Sequence, residues 1–241
     1  MVKYDWRQWT RILLIIGTVQ YVVLTVLAMI FYPGGIIGDT SIVGYSFTQN
    51  FFSDLGRIST PGGESNIVSR ILFSTALTVS GILFIPYLIT LPGVFTKSRP
   101  ARILCYIGSA IGIYTAICFV AIAFVPIGGD LTDLHLSLVE MAFAFVPLEA
   151  LCFAIAMYLE KEFSRLYSYV FFAFTIILFL YLGLLFMGPK LTNPDGSYNP
   201  DGLTIQAVGQ KIVVYAMNIS FAIQAYGAFR VGQRQTPGSS T

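Results

Sequence analysis

The sequence is poor in charge, in histidine and in cysteine. Only 11% of its 241 residues are charged, against about 25% in a typical soluble domain. It has one histidine, and its three cysteines, Cys105, Cys118 and Cys152, each lie within an apolar run. These shortages argue against a soluble enzyme, a disulfide-stapled domain and a zinc centre built from several imidazoles. The formal net charge of +2 and the lack of a basic aromatic module argue against nucleic acid as a partner.

Long apolar runs take the place of soluble domains. Hydrophobic residues make up 56% of the chain, and six runs are long enough to cross a hydrocarbon core of about 30 Å as helices. They predict an all-α integral membrane bundle that forms one domain, with spans at about 11–32, 66–91, 103–125, 135–158, 166–187 and 205–229 and a short polar tail at 230–241. The first run is too long for a signal-peptide core and no small-residue cleavage site follows it, so we expect a span there.

Basic residues are divided unevenly between the two faces that these spans define. Ten of the 14 lysines and arginines fall on the face that holds both chain ends; the other four are Arg57, Arg70, Lys190 and Lys211. Because basic loops stay on the cytoplasmic side, we expect both termini in the cytoplasm and the protein in the cell membrane. The loops after spans 1, 3 and 5 would then face outward.

The loop between spans 1 and 2 carries a polar motif. Asn50, Ser53, Asp54 and Arg57 lie within eight residues of one another, shortly before span 2. A loop of roughly 30 residues is too long for a simple connector, so we expect its middle to lie flat on the membrane or to fold over the bundle. Asp54 has structural roles open to it, as an ion-pair partner of Arg57 or Arg70 or as an acceptor of backbone N–H bonds. Its functional roles would be a lipid-headgroup contact or a catalytic carboxylate.

A second polar cluster opens span 4 on the same face. It contains Asp130, Asp133 and His135, and we predict that it meets the first cluster. Carboxylate and imidazole ligands suit zinc or manganese, but a lone histidine among loop carboxylates is a weak metal signal. We therefore predict no metal and no other cofactor. The structural alternative is that Asp133 caps span 4 while His135 hydrogen-bonds to the first loop.

Two glutamates and a lysine fall within predicted spans. A charged side chain at mid-helix costs about 3 kcal/mol on insertion scales, so each requires a partner or a function. Glu140 in span 4 is at the depth of Lys211 in span 6, which allows either a structural ion pair or an acid or base in an outward-facing cavity. Glu149 points to the nearly opposite face of span 4. Lys211, Tyr215 and Asn218 share one stripe of span 6, which we expect to face the bundle interior.

The run Asn50-Phe51-Phe52-Ser53-Asp54-Leu55-Gly56, followed by Pro61 and the long span 2, resembles an uncharacterised prokaryotic family of six-span membrane proteins, a domain of unknown function. The likeness continues through the glycine-bearing span 3 and His135. The same elements are similar, more distantly, to the FRAG/DRAM/Sfk membrane family, whose members are associated with lipid remodelling and autophagy. The resemblance implies a six-span topology and an outer cluster of Ser53, Asp54 and His135. It carries over no catalytic set, and Leu55 stands where the eukaryotic pattern usually has threonine.

Three functions are open on these observations. The favoured one is a protein that binds or senses membrane lipids and assists a membrane protein partner. Its predicted binding residues are Asn50, Ser53, Asp54, Arg57, Asp130, Asp133, His135 and Lys211. The second is an enzyme acting on a lipid headgroup at the outer leaflet, in which Asp54, His135 and Glu140 must converge on one cavity. The third is a small-solute or proton-coupled transporter that uses Glu140, Glu149 and Lys211, which requires a polar path between the faces.

Overall fold

Six long helices make up most of this computed structural model, which describes residues 5–235. They are α1 (Trp6–Ile30), α2 (Ile67–Thr90), α3 (Arg99–Phe124), α4 (Thr132–Leu159), α5 (Arg165–Met187) and α6 (Pro200–Gln235). Each is long and apolar enough to cross a membrane. The predicted all-α, multi-pass membrane architecture is confirmed.

The ends of the chain differ in detail from the prediction. Helix α1 begins at Trp6 rather than 11, and α6 begins at Pro200 rather than 205. The polar tail expected at 230–241 is still helical as far as Gln235, and 236–241 lie outside the described residues. Polar residues therefore extend these helices beyond the apolar runs. A helix is held by its backbone hydrogen bonds, which form outside the membrane as well as within it.

The helices form a closed ring. Each packs against its neighbours in sequence, and α6 returns to pack against α1. Since successive helices run in opposite directions, the loops 31–66, 125–131 and 188–199 share one end of the ring, here the loop face. The chain ends and the connectors 91–98 and 160–164 share the other end, here the terminal face.

Local sequence explains where several helices begin. Asp5 caps α1 by accepting from two first-turn N–H groups, and Ser98 and Ser164 cap α3 and α5. Pro86 and Pro147 lie inside α2 and α4 without ending them. Helix α2 ends instead at Thr90, where a 3-10 turn containing the next proline follows.

The loop 31–66 is folded over the ring. Strands β1 (Gly34–Ile36) and β2 (Asp39–Val43) form an antiparallel hairpin, and a 3-10 helix follows at Phe52–Gly56. Phe52 and Leu55 are only 3% and 0% exposed and belong to the same apolar core as the helices. Of the two positions expected for this loop, flat on the membrane or over the bundle, the structure shows the second.

Candidate functional site

The polar motif of the loop 31–66 is satisfied from within. Asp54 is 1% exposed, and its Oδ1 accepts from Arg57 Nε at 2.7 Å. Its Oδ2 accepts from the backbone N–H of Phe51 at 2.9 Å and from Asn50 Nδ2 at 3.2 Å. Asp54 thus has both structural roles that the sequence left open, an ion pair with Arg57 and a backbone hydrogen bond. Both carboxylate oxygens are occupied by neighbours in the loop.

Side chains from the residue that precedes α2 and from α6 tie this motif to the helices. Asn66 Nδ2 donates to three carbonyl oxygens, those of Asp54, Leu55 and Arg57, at 3.1–3.3 Å. The backbone N–H of Phe52 donates to Gln210 Oε1 at 2.7 Å. The motif therefore acts as a latch that holds the loop across the open end of the ring. We use the term latch for Asn50, Asp54, Arg57, Asn66, Gln210 and Lys211.

Lys211 completes the latch from α6. It is 1% exposed, and its Nζ donates to the carbonyl oxygens of Asn50 and Ala207. Three aromatic rings surround the amine at 5.3–5.7 Å from their centroids, those of Tyr45, Phe47 and Phe52. Within residues 5–235, no carboxylate lies within ion-pair distance of it. Carbonyl oxygens and ring faces thus replace a counter-ion.

Tyr45 is part of the same enclosure. Its hydroxyl donates toward the carbonyl oxygens of Asn50 and Phe51 at 3.2 and 3.1 Å. Burial raises the pKa of this hydroxyl, and the neighbouring Asp54 carboxylate raises it further. The proton that Tyr45 donates is therefore retained at every physiological pH.

The Glu140–Lys211 ion pair allowed by the sequence is wrong. Glu140 is exposed on the outer surface of α4, whereas Lys211 faces the ring interior. The two residues lie at a similar depth along their helices, but their side chains point in different directions. The rotation of α4 about its axis places Glu140 on the outside of the ring.

The second predicted cluster does not assemble either. Asp130 and Asp133 are exposed, while His135 is 2% exposed. His135 Nδ1 lies 2.6 Å from the carbonyl oxygen of Val125 rather than bonding to the first loop, and its Nε2 has no partner in the described chain. No side chain caps α4, so the capping role expected for Asp133 is wrong. Among residues 5–235, no three His, Cys, Asp or Glu side chains are close enough together to hold a metal ion.

His135 is the one member of that cluster that approaches the latch. The charges of Arg57 and Asp54 both act on its imidazole. A Cβ at Gly128, in the loop before α4, would lie 3.6 Å from an Arg57 guanidinium nitrogen. The two predicted clusters therefore lie near each other, but no hydrogen bond or ion pair within residues 5–235 joins Asp130, Asp133 or His135 to the latch.

A cavity of about 90 Å³ lies at the centre of the ring. Helices α1, α2, α3, α4 and α6 line it, at residues close to the midpoint of each helix. Most of the lining is apolar. The polar side chains in the lining are Thr18, Tyr21, Ser80, Thr115, Glu149 and Asn218. Since an apolar cavity of about 150 Å³ binds benzene, this one has room for a few heavy atoms or for several water molecules.

Glu149 is the only acidic side chain in that lining. It is 1% exposed, and its Oε2 accepts from Thr115 Oγ1 at 3.1 Å. Its Oε1 has no hydrogen-bond partner, and no Lys or Arg in the part of the chain that the structure describes pairs with it. Such a carboxyl within a membrane protein interior is costly to keep without a function.

A glycine on α3 makes the space that Glu149 occupies. A Cβ at Gly112 would lie 2.4 Å from Glu149 Oε1 and 2.8 Å from a methyl group of Leu88. One turn away, a Cβ at Gly108 would lie 2.9 Å from the ring of Phe153. The glycine pair thus allows close contact between α3 and α4, and it also admits a carboxyl group between these helices.

Different groups lie between the cavity and the two faces of the ring. Toward the loop face, Phe52 of the latch loop lies between two rings, with centroids 6.4 Å from Tyr21 and 5.5 Å from Tyr215. Toward the terminal face, Tyr87 donates to Gln224 Oε1 at 3.0 Å, and Gln224 Nε2 has no partner among residues 5–235. Aromatic rings therefore lie between the cavity and the loop face, and the buried Tyr87–Gln224 hydrogen bond lies toward the terminal face.

The sequence indicated Glu149 only for the transporter alternative and not among the predicted binding or catalytic residues. Gly112 and Thr115 share one face of α3 at a spacing of three residues, and a small residue beside a hydroxyl was the one signal that could have marked a polar partner there. That signal does not say which helix faces α3.

Comparison with family models, with curated proteins and with solved structures finds no match to this chain. The resemblance to the six-span family stays a prediction, and the function must be argued from the site itself.

Proposed function

We propose that this protein is a transporter that binds a small cationic solute in the central cavity, with Glu149 as the group that contacts it. The unpaired Glu149 carboxyl is the observation that carries the proposal. An ammonium group that enters the cavity would form an ion pair with the Glu149 carboxylate, and a proton would neutralise the carboxylate when the cavity is empty. Solute binding would then be exchanged for a proton, as in the transporter alternative drawn from the sequence.

The lining favours an organic ammonium ion as the solute class. Four aromatic rings border the cavity, and ring faces attract cations in apolar surroundings. They are Tyr21, Phe84, Phe119 and Phe221. The volume of about 90 Å³ limits the solute to a few heavy atoms. Methylammonium is therefore a suitable probe.

The latch supports a gating role for the loop 31–66. On the loop-face side of the cavity, Phe52 packs against Tyr21 and Tyr215, and its backbone is held by Gln210 of α6. Lys211, one residue further on, holds the carbonyl of Asn50. Release of these two α6 contacts would lift Phe52 and open the cavity to the loop face.

Glu149→Gln is expected to abolish methylammonium binding while the protein remains folded. The amide keeps the shape of the side chain but removes the negative charge. In thermal melts of the purified protein, methylammonium chloride should raise the melting temperature of the wild type above its value in sodium chloride of equal ionic strength. A ligand present at 100 times its Kd stabilises by about 2.7 kcal/mol. The Glu149→Gln protein should show no such rise.

Glu140→Gln is the matched control, because it makes the same chemical change on the outer surface of the same helix. This variant should respond to methylammonium as the wild type does. Proteoliposomes that contain the wild type or Glu140→Gln should take up labelled methylammonium above the background of protein-free vesicles. Those that contain Glu149→Gln should not. An equal stabilisation of the Glu149→Gln protein would disprove the proposed site.

Lipid binding at the outer cluster, the function favoured by the sequence, remains a proposal with less support. The polar groups of Asn50, Asp54 and Arg57 are directed at one another, which leaves little for a headgroup. An enzyme that uses Asp54, His135 and Glu140 together has no support either, since Glu140 is exposed and both oxygens of Asp54 are occupied.

We also propose that the terminal face is cytoplasmic and that the protein lies in the cell membrane, on the basis of its basic residues. A cysteine introduced at exposed Ser197, on the loop face, should react with a membrane-impermeant maleimide in intact cells. One introduced at exposed Ser164, on the terminal face, should react only after lysis. Two of the three native cysteines are buried and the third is half-buried, so background should be low. If only the cysteine at position 164 reacted in intact cells, the terminal face would be outside the cell and the proposed topology would be wrong.

A further inference from the structure

A second pocket opens at the terminal face, away from the central cavity. Its volume is about 160 Å³, and it lies between the start of α5 and the last turns of α6. Ser164 and Tyr167 line it from α5, and Gly227, Arg230 and Arg234 line it from α6.

Two arginines give this pocket its charge. Arg230 and Arg234 are four residues apart on α6, so they project from the same helix face, and both are exposed. Arg230 Nη1 donates to the Tyr226 hydroxyl at 3.0 Å. Arg234 makes no hydrogen bond or ion pair within the described residues. A guanidinium presents paired N–H donors that match the oxygens of a phosphate.

The one acid at the pocket, Glu162, has partners other than the two arginines. Glu162 Oε2 accepts from Gln235 Nε2 at 2.6 Å, and its Oε1 lies 3.6 Å from Lys97 Nζ. Both oxygens therefore have partners, and neither arginine forms an ion pair with Glu162.

The start of α5 adds to the positive potential. Ser164 caps this helix of 23 residues, whose N-terminal end carries the positive end of its dipole. The ring of Tyr167 forms one wall, packed so closely against Gly227 that a Cβ there would lie 2.8 Å from it. The pocket thus combines guanidinium groups, a helix N-terminus and an aromatic wall.

We propose that this pocket binds the phosphate headgroup of an anionic phospholipid from the leaflet at the terminal face. Large apolar side chains are exposed beside it on the same two helices, which gives the acyl chains a surface to lie on. They are Leu166, Tyr169 and Tyr226, at 64%, 58% and 47% exposure. Basic pockets between spans at the membrane surface are sites of this kind. The site is independent of Glu149 and of the proposed transport.

The test is native mass spectrometry of the purified protein titrated with dioleoylphosphatidylglycerol. The double variant R230Q/R234Q should bind this lipid about 30-fold more weakly than the wild type, given the usual contribution of two basic residues near an anionic surface. The matched control R99Q/K161Q removes two exposed charges from the same face outside the pocket, and it should bind as the wild type does. Equal binding by R230Q/R234Q and the wild type would overturn the proposal.

Two further arms separate the sources of the phosphate. Dioleoylphosphatidylcholine should bind no better to the wild type than to R230Q/R234Q. Inorganic phosphate at millimolar concentration should not displace phosphatidylglycerol; full displacement would assign the pocket to a free anion and overturn the lipid proposal. If the double variant melts early, the single variant Arg234→Gln, which removes no contact within 5–235, carries the test with a smaller loss.

Discussion

Replacement of Asp54 by asparagine is expected to lower the free energy of unfolding by about 3–5 kcal/mol, the usual cost of breaking a buried ion pair from one side. The amide cannot neutralise Arg57, whose side chain is only 16% exposed. In either orientation its NH2 group would also face a donor, either Arg57 Nε or the N–H groups of Asn50 and Phe51, which now bind the carboxylate. The loss can be measured by thermal or denaturant unfolding of the purified protein.

Asp130→Asn is the matched control, since Asp130 is an exposed acid on the same face. Its unfolding free energy should stay within about 0.5 kcal/mol of the wild type. If Asp54→Asn were equally mild, the loop would not be held by this carboxylate, and the latch would have to depend on Asn66 and Gln210 instead.

Gly112→Val is expected to have the second largest effect, because it fills the space that Glu149 uses. The first side-chain carbon alone would lie 2.4 Å from Glu149 Oε1. Overpacking of this kind costs about 1–3 kcal/mol, and relief is available only if α3 and α4 separate or the carboxyl moves into the cavity. We therefore expect a lower melting temperature together with loss of the methylammonium response.

Gly183→Val tests whether these effects come from the site rather than from valine in a helix. Gly183 is an exposed residue of α5, and no atom lies within 4 Å of a Cβ placed there. This variant should melt near the wild type and keep the methylammonium response. A normal methylammonium response in Gly112→Val would contradict the placement of the solute beside Glu149.

The outer cluster shows what residue types can and cannot predict. Asn50, Asp54 and Arg57 were recognisable from the sequence as a polar motif in a long loop. Whether such groups point at a ligand or at each other depends on the fold of the loop. The 3-10 helix at Phe52–Gly56 directs Asp54 toward Asn50 and Arg57, so these side chains form their hydrogen bonds with one another inside the protein.

The two glutamates of α4 show the same limit for helices. The spacing of Glu140 and Glu149 places them on opposite faces, and the structure has one exposed and one buried. Depth alone suggested Lys211 as the partner of Glu140. The depth of a residue does not tell which face of α4 points into the ring. In the structure the face that carries Glu149 points inward, so Glu149 is the interior residue.

By itself, the sequence determined the number of spans, the division of basic residues between the faces and the position of the polar loop. These properties depend on runs of neighbouring residues, and each helix satisfies its own backbone hydrogen bonds in the membrane. Only the tertiary structure decided that the loop closes the ring and that a cavity forms around Glu149. Both depend on α6 returning to α1, a contact between residues nearly 200 positions apart in the chain, which no local pattern encodes.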